Sequence, residues 1–286
     1  MEQASMTAVV SRFLVRLHFA YRVAAWAVAG TLTICASGAL AQEAAKRPAN
    51  WKEMQVAEPQ GGYRAAKAQA EAMVRSGSVA DQQTFDAYWK WHFAQLTRYE
   101  LRNKLPAIRS LFKQKLKDRQ GAAQARLVKE IALPMLTEIV EDAGYDTIVR
   151  YNALLMLGDL NQTEPNARGQ GAVALAEVLP TLLKFLDPKL PANDTNDTLR
   201  VAALIGVQGH AERGGVRDAQ RRQQVQKLLQ QIADETNPPA GRQPEVHEWI
   251  TNLAKVVAKS MQPAGSVASG RSARMERRGT RTSNER

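Results

Sequence analysis

The sequence predicts an all-α fold assembled from repeated antiparallel helix pairs. Two observations carry this expectation. From Tyr63 onward apolar residues recur at helical three- and four-residue steps, not in the alternation of a strand. A stretch near the middle then returns in recognisable form one repeat length later. Runs of alternating β-branched residues are missing, and no Asn-Gly turn joins two apolar runs. An aromatic share of 6% is also thin for a β-sandwich or barrel.

The helices follow in order. Phe85, Tyr88, Trp89, Phe93, Leu96 and Tyr99 form one apolar stripe, and Leu101, Leu105, Ile108, Leu111, Phe112 and Leu116 a second. Leu133, Leu136, Ile139 and Val140 continue the pattern, as do Leu179, Leu182, Leu183 and Leu186. About nine helices result, divided by polar loops rich in Gly, Pro, Asn and Asp.

The repeat is visible when Val149–Leu160 is written above Leu199–His210. Arg150 falls on Arg200, Ala153 on Ala203 and Leu157 on Val207, at an offset of 50. The helices ahead of them match too: Leu133-Pro134-Met135-Leu136 precedes Leu179-Pro180-Thr181-Leu182 by 46 residues. A more degenerate third pair spans Asp218 to Asp234 and Glu245 to Lys259. One pair cannot enclose its own apolar face, so neighbouring pairs must stack to bury it. The small Ala153 and Ala203 allow that approach. Asp146 and Asn196 each stand four residues before the arginine and are the expected N-caps, worth about 1 kcal/mol each.

Val149, Arg150, Ala153, Leu157, Gly158 and Leu160 together read Val-Arg-x-x-Ala-x-x-x-Leu-Gly-x-Leu. On those residues, and on the doubled Leu-Pro segment, the chain resembles the HEAT-repeat family in an exported bacterial form. The second copy departs from the pattern at Leu199, Gln208 and His210. The resemblance covers Leu127 to Met261. It implies an α-solenoid of stacked pairs over residues 127–262, preceded by a helical cap at 62–126. It also implies an extended concave surface for binding proteins, with no chemistry of its own. In the family an Asp–Arg pair often bridges adjacent units, a structural role that the resemblance extends to Arg150 and Arg200.

The two ends are expected outside this fold. Residues 1–41 hold Arg12, Arg16 and Arg22, an uncharged run from Val23, and Ala39-Leu40-Ala41 ahead of Gln42. That is the layout of a cleaved Sec-type signal peptide, hence of a periplasmic or secreted protein. The alternative is an uncleaved signal anchoring the chain in the membrane. The one cysteine, Cys35, lies in this leader, so the exported chain is expected to rely on packing rather than disulfides. Residues 42–61 read as a loose entry segment. Residues 263–286 read as a disordered basic tail, because Ser, Gly and Arg cannot bury enough surface to order themselves. The tail holds six arginines against two glutamates and the leader three against one, which leaves +5 of the total +11 on residues 42–262.

Candidate sites are few. Tyr88 to Phe93 interleaves aromatics and bases and is followed by Arg98, Arg102 and Lys104. Trp91 alone leaves the core stripe, so Lys90, Trp91, Arg98 and Arg102 are the candidate partner-binding residues. After the leader only His92, His210 and His247 remain, without His-Glu-x-x-His spacing or cysteines for a metal. His210 takes the place of Leu160 in the repeat and reads as a half-buried structural imidazole. No nucleophile elbow, phosphate loop or dinucleotide fingerprint occurs. No cofactor, metal or catalytic residue is therefore assigned. The expected function is an exported protein–protein interaction scaffold with a protein partner. The alternative is a binder of an anionic polymer or membrane surface through the arginine-rich tail and the basic–aromatic patch. The long loops ahead of Asp197 and Glu245 are where variable binding function tends to sit.

Overall fold

The computed structural model describes residues 47–117, 121–165 and 169–261. The predicted signal peptide and basic tail lie outside the described residues. What is described is mostly helical: α1 (Tyr63–Ser76), α2 (Gln82–Ala94), α3 (Leu105–Lys117), α4 (Ala122–Arg126), α5 (Leu133–Glu141), α6 (Thr147–Asp159), α7 (Leu179–Lys184), α8 (Asp194–Glu212), α9 (Ala219–Ala233) and α10 (Pro244–Ser260). A π-helical stretch, Leu127–Ala132, joins α4 to α5 in one rod. With that rod counted once, the described residues form nine helical rods, matching the number read from the apolar pattern.

Pro134 explains the π stretch. It has no N–H, and its ring would crowd the carbonyl four residues earlier in a regular helix. The wide turn avoids that clash, and Leu133 N–H reaches back to the Val128 carbonyl. Pro180 meets the same problem differently. A 3-10 turn (Ala176–Val178) precedes it and α7 begins at Leu179, so Pro180 sits in a first turn that requires no N–H.

α6 packs against α5, its partner in the first repeat, and also against α8. α6 and α8 run parallel and in step. Near their N-terminal ends Thr147 Oγ1 lies 2.9 Å from Thr195 Oγ1. About three turns further on the backbones meet, where a Cβ on Gly158 would stand 2.7 Å from the Gly206 Cα. A Cβ on Gly206 would in turn strike Leu182 Cδ2 at 2.7 Å. Ala153 and Ala203 are fully buried. The first helices lie side by side in the same sense, with Lys129 3.2 Å from Glu177 and Lys184 paired to Glu141. α9 and α10 form a third pair, with α10 against α8.

The helices before the repeats continue this packing. Arg126 on α4 grips Asp86 on α2 through two hydrogen bonds of 2.8 and 2.6 Å. Lys113 on α3 reaches Asp159 on α6 at 2.7 Å. α3 thus lies beside a second helix, although its Leu105-Pro106 start echoes the opening of a first helix.

Two details differ from expectation. The connection after α6 carries a small antiparallel ladder, β1 (Asn161–Thr163) against β2 (Val173–Ala174). Leu175 N–H donates to Leu160 O at 3.0 Å and Ala174 N–H to Arg213 O at 3.2 Å, so this long link is pinned at both neighbouring helix ends. The described part of the entry segment is not loose either. Trp51 is buried and donates from Nε1 to Thr97 O at 2.8 Å, while Met54 N–H donates to Thr97 Oγ1 at 2.8 Å. Lys52 pairs with Asp142 and lies 4.8 Å from the centre of the Tyr145 ring. Irregular backbone here is held by one aromatic anchor and its polar fringe.

The tight α6–α8 crossing yields a direct test. Gly158→Ala should lower the urea-unfolding free energy by about 2 kcal/mol, the usual cost of overpacking, because backbone and not a flexible tip blocks the new methyl. Gly171→Ala, with nothing within 4 Å of its added Cβ, should leave the midpoint unmoved.

Candidate functional site

The repeat arginines act inside their own units. Arg150 is buried and donates from Nε to Val140 O at 3.0 Å, at the end of α5. Arg200 is likewise buried and donates from Nη2 to Asp187 O at 3.0 Å, just past α7. Each therefore clips its second helix to the last carbonyls of the first, where unsatisfied acceptors gather. Burial lowers the pKa of both guanidinium groups below the ordinary arginine value. The sequence expectation for these residues was a bridge between units. For Arg150 that bridge is replaced by the carbonyl, since Asp146 is occupied as the α6 N-cap, accepting from Ile148 N–H at 2.9 Å.

A bridge between units does exist, one unit further on and on an unforeseen residue. Arg242, with 1% of its side chain exposed, donates from Nη2 and Nε to Asp197 at 2.9 and 3.0 Å. Its Nη1 donates to Glu235 Oε2 at 2.9 Å. Asp197 belongs to the first turn of α8, whereas Arg242 sits in the loop before α10. His247 is buried beside them, with Nε2 2.9 Å from Glu235 O. Arg200 faces the same carboxylate, its Nη1 3.6 Å from Asp197 Oδ1. Sequence reasoning marked both loops as long but had no signal for this cluster, because Asp197 and Arg242 are 45 residues apart in different elements. It also placed the α8 cap wrongly. Asn193 is the N-cap, accepting from Asn196 N–H at 2.8 Å, and Asn196 turns its amide to Pro191 O.

Two residues of the predicted basic–aromatic patch, Trp91 and Arg102, have partners within the chain. Trp91 is half-buried, with its ring 4.8 Å from that of Tyr63 on α1. Arg102 lies over the Tyr99 ring at 3.8 Å and donates to Tyr99 O at 2.9 Å. Lys90 and Arg98 are exposed. On α3, Lys115 pairs with Glu71 at 3.2 Å.

Large apolar side chains that remain exposed are distributed unevenly. Ile148 on α6, Ile205 on α8, and Trp249 and Val256 on α10 stand out at 45, 41, 37 and 37% exposure. All four belong to second helices of the pairs. Leu111, the fifth, lies on α3.

His210 is fully buried instead of half-buried, and neither ring nitrogen has a hydrogen-bond partner among the described residues. Burial, and secondarily the nearby Arg213 charge, hold its pKa down to about 4. His92, also held to about 4 by burial and by Lys67, acts in the same sense. Among the described residues no group of three or more His, Cys, Asp or Glu side chains gathers as a metal site.

Two outcomes follow for stability. Arg242→Met leaves Asp197 buried and partly uncompensated, and should cost about 3–5 kcal/mol in chemical unfolding. The double change Asp197→Leu with Arg242→Met should not recover that loss, because Arg200 is then buried without its carboxylate. For His210, the unfolded chain takes up a proton near pH 6.5 and the fold resists it until about 4. Stability is therefore intact above pH 6.5 and falls as the pH drops toward 4, by on the order of 3 kcal/mol. His210→Leu should flatten that acid limb in urea midpoints measured against pH. Comparison of the chain with protein-family models, curated proteins and solved structures gives no match.

Proposed function

We propose that the chain is a HEAT-like α-solenoid that binds a partner polypeptide along the face formed by its second helices. The observation that carries this reading is the placement of exposed apolar bulk. Ile148, Ile205, Trp249 and Val256 occur on α6, α8 and α10, one or two per pair. None of the exposed large apolar side chains among the described residues falls on the first helices α4–α5, α7 or α9. Apolar bulk left in water on one row of helices costs solubility, and its common use is to fill pockets on a partner.

The repeat reading has its own support. Contacts between α6 and α8 recur at a constant offset of 48 residues, at Thr147–Thr195 and at Gly158–Gly206. Arg150 and Arg200 perform the same clip in successive units. Such stacking is what makes a repeat array a quasi-linear scaffold with an extended surface. Export to the periplasm or the exterior belongs to the proposal through the sequence of residues 1–41.

The test is affinity capture of the exported chain alongside Ile205→Glu and Trp249→Glu, each checked for an unchanged melting temperature. A partner that uses this face should be lost or weakened by about tenfold or more, the scale of an interface hot spot. Capture of the same proteins by both variants would end the second-helix assignment. Capture abolished by moderate salt but insensitive to either substitution would favour the anionic-polymer reading instead.

A further inference from the structure

We propose that the cleft between loop 187–193 and loop 234–243 is a carboxylate-binding site centred on Arg200. This stands apart from the second-helix face and does not depend on it. The cleft has a volume of about 60 Å³. That is room for several water-sized groups, or for a carboxylate with its adjoining carbon. Pro188, Leu190, Ala192 and Pro239 form its apolar walls, with Arg200 and Arg242 among the groups lining it.

Charge in this cleft is unevenly matched. Arg242 has its demands met: Asp197 takes Nε and Nη2, and Glu235 takes Nη1. Arg200 does not. Its only ion-pair contact among the described residues, Asp197 Oδ1, is 3.6 Å away and already accepts two bonds from Arg242. One Nη2 hydrogen goes to Asp187 O, and Nε–H is buried with no partner among the described residues. Two guanidinium groups thus share one buried carboxylate. The other acids acting on Arg200 are Glu235, with a side chain 38% exposed, and Asp187, an exposed residue, so water screens both far more than Asp197. A carboxylate entering beside Arg200 would accept from the orphaned Nε–H and give Arg200 the close pairing that Asp197, held by Arg242, does not, the pairing that guanidinium geometry favours. Its attached carbon would meet proline and leucine rather than water.

The cleft is also formed in advance. Gly241 sits at φ +92°, and a Cβ there would come within 2.7 Å of Ala192 O, so glycine lets the two loops touch. Arg242 N–H then closes a turn onto Pro239 O at 3.0 Å. A site that needs no closing motion loses less ordering entropy on binding.

The shared chemistry is a carboxylate, whether from a small free acid or from an acidic side chain of a peptide. Both sources are tested by titrating the full chain, at constant pH and ionic strength, with acetate and with a blocked Ala-Glu-Ala peptide against its Gln counterpart. The readout is the Nε–H nitrogen–proton NMR signal of Arg200, identified by its loss in Arg200→Lys. A saturable shift with a dissociation constant on the order of 1 mM is expected for a ligand of this size. Response to acetate alone assigns a small free acid, and response to the Glu but not the Gln peptide assigns an acidic polypeptide. Leu190→Phe, which fills the cleft without touching the ion pairs, should weaken binding by more than about tenfold. It decides the matter if Arg200→Lys fails to fold. No saturable shift with either probe, meaning that water alone occupies the cleft, overturns the proposal, as does binding that survives Leu190→Phe.

Discussion

The packing of this chain depends on the contact between Gly158 and Gly206. Two helices in ordinary contact are held apart by their side chains, but here backbone meets backbone. That approach lets Leu182 of the neighbouring first helix press onto Gly206, so one crossing joins three helices of two units. Arg213 reinforces it, donating from Nη2 to Gly158 O at 2.5 Å. Because α6 and α8 are parallel at this point, the second helices share one direction, and the first helices must return on the other side. Dispersion at close range is individually weak, yet such a seam forfeits much of it when opened by a fraction of an ångström.

The next interface along the chain works by different physics. α8 meets the third unit through Asp197, Arg242 and Glu235 rather than through a glycine seam. Burying such charges carries a desolvation cost that their attraction offsets only with complete hydrogen bonding. Arg242 reaches that condition and Arg200 does not. The apolar seam therefore fixes distance, whereas the ionic junction fixes which groups must face each other. The chain places its least balanced polar group at the second kind of junction, next to a cleft.

Much of this architecture is legible in the residues, and the parts that are not share a cause. Helix period, the repeat at Arg150 and Arg200, and the cap at Asp146 are local signals, and each has its counterpart in the fold. Three-dimensional neighbours are another matter. Gly158 aligns with Gln208 in the repeat but touches Gly206, because helices slip along one another by about half a turn when they pack. The Asp197–Arg242 pair joins a helix to a loop with no repeat equivalent, so no periodicity announces it. The contact of Trp91 with Tyr63 is hidden from the sequence for the same reason, since Tyr63 lies outside the window that defines its helix face.

Parallel second helices have an electrostatic consequence that reaches the loops. The N-terminal ends of α6, α8 and α10 come to one edge of the fold, as the contacts Thr147–Thr195 and Asp197–Arg242 require. Each end carries partial positive charge from unsatisfied N–H groups. Asp146 and Asn193 cap two of them, and Asp197 stands in the first turn of α8. Buried carboxylates are favoured along this edge, and a fixed charge placed there is held by helix dipoles as well as by arginine. The opposite edge, where second helices end, has the reverse polarity, and there the buried residue is His210, kept neutral. One direction of helix packing thus sets positive dipole ends along one edge and negative dipole ends along the other.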